Sequence, residues 1–73
     1  METVNLKIFA TRLRELRTER NISQHTLAKE TGLTQTAITY WETGQRIPNL
    51  KAVILLARYF NVSIDYLVGE TGY

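Results

Sequence analysis

The chain has 73 residues, a formal net charge of +2 and no cysteine, which leaves room for one domain and excludes both a disulfide staple and a thiolate metal site. A single histidine, His25, cannot by itself hold a structural zinc, and a domain this short buries only about 60% of its unfolded surface. Apolar packing and good local signals therefore have to carry the fold, and the mildly basic balance favours an anionic partner without specifying one.

The chain opens on Met1-Glu2-Thr3-Val4-Asn5, which lacks the basic and apolar regions of a secretory signal. The first predicted element spans about 6–19. Asn5 supplies its polar cap, Val4 and Phe9 flank the cap as a hydrophobic staple, and Leu6, Phe9, Leu13 and Leu16 fall on one face at helical spacing. Arg12, Arg14 and Arg20, interleaved with Glu15 and Glu19, read as a solvated face with local ion pairs. The same local pattern starts a second helix at about 24–31, with Ser23 as cap, Ile22 and Leu27 as staple, and Gly32 as the left-handed stop. His25 reads as an exposed neighbour of that cap.

Thr34, between Leu33 and Ile38, starts a third helix at about 35–42, and the segment Thr43-Gly44-Gln45-Arg46-Ile47-Pro48 is a loop. Asn49, with Pro48 and Val53, starts a fourth at about 50–60, whose apolar stripe is expected to be Leu50, Val53, Ile54, Ala57 and Phe60. Ser63, with Val62 and Leu67, starts a short fifth at about 64–68, where Asp65 suits the helix dipole and Gly69 ends the element. No alternating run suggests a strand, and no stretch reads as a linker. The stretch 52–57, the most apolar of the chain, is too short for a bilayer. The expectation is an all-α, soluble, cytoplasmic protein forming a single domain over 1–73 with its core at about 6–69.

The second and third helices are joined by a short turn holding Gly32, the general form of a helix-turn-helix. Ala28 falls where the two would cross, and Leu27, Leu33, Ile38 and Trp41 are spaced to bury one face of the pair. The outer face of the third helix then carries Gln35, Thr36, Thr39 and Tyr40, all polar and uncharged. Such a face suits the donors and acceptors on base edges in a major groove.

The joint order of Phe9…Arg12-Leu13-Arg14…Leu16-Arg17, Ile22-Ser23-Gln24…Leu27-Ala28, Gly32-Leu33-Thr34, Ile38…Trp41-Glu42…Gly44…Arg46…Pro48 and Val62-Ser63…Asp65…Leu67…Gly69 resembles the xenobiotic-response-element family, the helix-turn-helix domains of Cro and the lambdoid phage repressors. The resemblance implies a compact five-helix, lambda-repressor-like fold that binds double-stranded DNA as a homodimer on a pseudo-palindromic operator, with the third helix in the major groove. It implies further that Gln24 contacts a phosphate and braces that helix, and that Gln35 reads a base edge. Thr36, Thr39 and Tyr40 take the other groove-facing positions, and Thr34, Thr43 and Arg46 meet phosphates. Arg17 and Glu42 match a partly buried pair tying the first helix to the end of the third. Tyr40 stands where the family often has a smaller or charged residue, and Arg46 is the only cation in its loop.

Few carboxylates, one histidine and no glycine-rich phosphate loop leave no acid–base pair for catalysis, so neither an enzyme nor a cofactor is expected. The expected function is transcriptional regulation, with repression as its sign. Two alternatives stand beside it: an antitoxin or protein-interaction module of the same fold, and the DNA-binding part of a longer sensor protein.

Overall fold

Polar side chains begin the helices. In the computed structural model, which describes residues 6–70, Ser23 Oγ accepts from the Thr26 N–H at 3.0 Å and Thr34 Oγ1 from the Ala37 N–H at 3.1 Å. Asn49 Oδ1 accepts from the Ala52 N–H at 2.8 Å and Ser63 Oγ from the Tyr66 N–H at 2.9 Å. Each bond satisfies an amide that the first turn leaves without an intrahelical partner. The five helices are α1 (Leu6–Glu19), α2 (Gln24–Thr31), α3 (Gln35–Glu42), α4 (Leu50–Phe60) and α5 (Ile64–Val68), with no strand among the described residues. The cap and staple expected at Val4 and Asn5 lie outside the described residues.

The helix ends use two residue types. Gly32 and Gly69 close α2 and α5 in the left-handed conformation, whereas Asn21 and Asn61 take positive φ after α1 and α4. Gly69 has a second constraint: a Cβ there would stand 2.7 Å from Ile8 Cγ2, so its missing side chain lets the end of α5 lie against α1.

Phe9, Leu13, Leu27, Ile38, Trp41, Leu56, Phe60 and Leu67 form one core to which every helix contributes. Trp41 meets Phe9 edge to face, with ring centroids 6.5 Å apart. The stripe of α4 is displaced from the expected one. Ala52, Val53, Leu56, Ala57 and Phe60 are buried, Ile54 is half-buried, and Leu50 is 69% exposed. Leu50 sits at the edge of that buried arc and on the first turn, so its spacing to Val53 does not carry it inside.

Arg14 is exposed on α1 as expected, but Arg12 and Arg20, the latter just past the end of α1, also make long-range contacts. Arg12 donates to the carbonyl of Tyr66, and its guanidinium lies 4.3 Å from the centre of the Tyr66 ring. Arg20 donates to the carbonyls of Tyr59 at 3.2 Å and Phe60 at 2.8 Å. These are the terminal carbonyls of α4, which the helix itself leaves unbonded and where its dipole favours a cation. Both arginines thus bond backbone carbonyls of a distant helix.

Candidate nucleic-acid interface

The α2–α3 unit is held from beneath by its apolar residues. Leu27, Ala28, Ile38 and Trp41 are buried and Leu33 is half-buried against the core. Gly32, at φ +79°, turns the chain between the two helices. With that face turned inward, Gln35, Thr36 and Thr39 are exposed along α3 and Tyr40 is half-buried.

A polar chain runs from the interior to this outer face. Glu42 is buried and meets Arg17 through two parallel bonds, Nε to Oε2 at 2.7 Å and Nη2 to Oε1 at 2.9 Å. The fork geometry of guanidinium and carboxylate makes this the stronger form of ion pair. The hydrogen bond to Glu42 holds the Arg17 proton more firmly than usual, against the opposing effect of burial. Arg17 spends a further N–H on the Ile22 carbonyl at 2.9 Å, which fixes the chain entering α2. Gln24 Nε2 donates to Glu42 Oε1 at 3.1 Å, and Thr39 Oγ1 donates to Gln24 Oε1 at 2.7 Å. Arg17, Glu42, Gln24 and Thr39 thereby join α1, α2 and α3 in one connected network.

A second group gathers at the far end of α3. The Arg46 guanidinium lies 4.6 Å from the centre of the Tyr40 ring, and the Arg46 N–H donates to the Tyr40 carbonyl at 3.3 Å. Tyr40 therefore supports a cation beside the helix face, which accounts for an aromatic residue at that position. Thr43 Oγ1 donates back to the Thr39 carbonyl at 2.9 Å and caps the same end. Thr34 Oγ1 is engaged at the other end with the Ala37 amide.

Beside the α3 start lies an open groove of about 550 Å³ whose lining includes Thr34, Ala37, Asn49 and Lys51. Lys51 was not among the expected site residues. Its signal in the sequence is a cation in the first turn of α4, where the helix dipole favours an anion. Among the described residues no histidine or carboxylate cluster could hold a metal ion, and no helix is long and apolar enough to cross a membrane.

A family model described as helix-turn-helix matches residues 13–67. The chain is 37% identical over 60 residues to the HTH-type transcriptional activator BcrR of Enterococcus faecalis, a match covering 82% of this chain and 29% of that protein. It is 31% identical over 64 residues to the cryptic phage CTXphi transcriptional repressor RstR of Vibrio cholerae, covering 88% of this chain and 58% of RstR. The chain thus spans less than two thirds of the length of these curated relatives. The crystal structure of the restriction-modification controller protein C.AhdI from Aeromonas hydrophila superposes with a TM-score of 0.77 at 39% identity, over 85% of this chain and 94% of C.AhdI.

Proposed function

The chain belongs to the helix-turn-helix family matched over residues 13–67, and on that premise we propose that it is a sequence-specific, DNA-binding regulator of transcription whose α3 enters the major groove. The observation that carries the reading is the outer face of α3, where Gln35, Thr36 and Thr39 are exposed on a helix anchored from below by Ile38 and Trp41. Uncharged donors and acceptors on a rigid helix match the pattern that base edges present. The similar proteins named as transcriptional regulators support the same reading.

The roles divide by chemistry. Gln35 reads a base edge, and Thr36 and Thr39 face the groove beside it. Arg46, steadied on Tyr40, meets a phosphate, and Thr34, Thr43 and Gln24 stand where backbone contacts position the helix. The partner is a pseudo-palindromic operator bound by two copies of the chain in the cytoplasm. Repression is the proposed sign of the regulation, as in the similar phage repressor RstR.

Selection of bound sequences from a random double-stranded DNA pool, at two salt concentrations, tests this function. The expected result is enrichment of a two-fold symmetric site, with affinity falling as salt rises because phosphate contacts release counterions. Recovery of unenriched DNA at both concentrations would contradict it.

A further inference from the structure

The Arg17–Glu42 pair sets the direction of every hydrogen bond in the network that leads from it to the groove face. An ionised carboxylate only accepts, and Glu42 Oε1 already faces Arg17 Nη2 at 2.9 Å and Gln24 Nε2 at 3.1 Å. Gln24 is therefore obliged to turn its NH₂ group toward Glu42. The reversed amide would set two acceptor oxygens against each other at that distance. Its Oε1 is left facing Thr39 Oγ1 at 2.7 Å. A carbonyl oxygen cannot donate, so the proton of this bond comes from Thr39.

A threonine hydroxyl has one proton and two lone pairs. With the proton committed to Gln24, the exposed Thr39 offers the outside only acceptor lone pairs and its methyl group. Resting on the reading of α3 as the groove-facing helix, we infer that Thr39 reads its base as a hydrogen-bond acceptor. The contacted base then carries an exocyclic amine, adenine N6 or cytosine N4. Guanine presents O6 and N7, and thymine O4 beside its C5-methyl group, on the same edge. These acceptors meet an oxygen that has no proton to give, and the thymine methyl can meet only the Thr39 methyl, leaving O4 opposite a lone pair. The resulting signature is degenerate in an uncommon way: adenine and cytosine are accepted and the two keto bases rejected. Gln24 is the positioning residue of this readout. It sets the polarity of Thr39 without touching the base.

The test is the same selection, run on the wild type and on Thr39→Ser, Thr39→Val and Gln24→Ala, each checked for folding by thermal melting. In the wild type, one operator position accepts adenine and cytosine alike and depletes guanine and thymine by about 5- to 150-fold, the usual range for one mismatched pair. Thr39→Ser keeps that preference. Thr39→Val, which keeps the shape and loses the lone pairs, abolishes it at that position alone. Gln24→Ala frees the hydroxyl proton, so the keto bases return there while the position sensitive to Gln35→Ala is unchanged. Should Gln24→Ala fail to fold, the wild-type base preference and the Thr39→Val result still decide the matter. Guanine or thymine at the Thr39-dependent position, no position responding to Thr39→Val, or an intact amino preference in folded Gln24→Ala would each overturn the inference. A wild type that selects no sequence at all would instead overturn the DNA-binding reading on which it rests.

Discussion

Glu42 keeps only 4% of its side chain exposed and Arg17 14%, with two bonds between them. Removing one member of such a pair leaves the other desolvated without compensation, which costs about 3–5 kcal/mol. Glu42→Ala also strips Gln24 of its acceptor. The variant is expected to lose a large part of the domain's stability in thermal melting, and its DNA affinity with it. Normal melting would mean that water reaches the pair freely. Tyr59 gives a pH-dependent counterpart. Its hydroxyl donates to Glu30, and that bond holds the Tyr59 pKa above its ordinary value. A group whose pKa is raised by folding contributes stability that is complete below its unfolded value, about 10, and lost as pH climbs through the folded one. The wild type is therefore expected to melt above Tyr59→Phe at neutral pH, with the gap closing on the alkaline side of pH ~10. A gap independent of pH would exclude the hydrogen bond as its source.

At the level of the helices, capping does much of the specifying. Thr34 is exposed, yet its Oγ1 takes the Ala37 amide at the start of α3. Thr34→Ala is expected to cost about 1 kcal/mol in urea denaturation, and Thr34→Ser far less. Equal stability of all three proteins would show that the cap is not what starts α3. These same caps made the elements legible. Ser23, Thr34, Asn49 and Ser63, each between staple residues, mark the starts of α2 to α5 by purely local chemistry. The stops at Asn21 and Asn61 were less visible, because asparagine tolerates positive φ but does not require it. What local pattern could not supply was partnership across the fold. Arg12 and Arg20 look like surface charges until α5 and α4 bring their carbonyls alongside. Likewise Gln24 and Thr39 are both readable as polar site residues, but their bond joins positions 15 residues apart. Tyr40 stood out as a departure from the family pattern, and its support of Arg46 appears only once the loop has folded back.

At the scale of the whole molecule, a single α3 of eight residues would, on the proposed reading, reach one short half-site. Two copies related by a two-fold axis would set their helices about one DNA turn apart, ~34–36 Å. The C-terminal region offers a contact for such pairing: Ile64 is exposed, and Tyr66 and Val68 are half-buried, while Tyr73 lies outside the described residues. Sedimentation on operator DNA is expected to give two chains per site, and full-affinity binding of one chain would rule the pairing out. The proposed function rests on a division between residues that read bases and residues that position the helix, and one comparison of variants tests it. Gln35 has a donor and an acceptor at its tip and can bond bidentately to adenine, so Gln35→Ala is expected to cost about 1–3 kcal/mol on the preferred operator and to relax selection at one A·T pair. Arg46→Ala is expected to weaken binding to every sequence alike and to make the salt dependence shallower by about one unit of slope. The decisive measurement is therefore the affinity of both variants for operator and random DNA across a salt series. Sequence-dependent loss in Gln35→Ala, with uniform and salt-linked loss in Arg46→Ala, is the predicted result. Equal loss on operator and random DNA in Gln35→Ala, or altered base preference in Arg46→Ala, would contradict it.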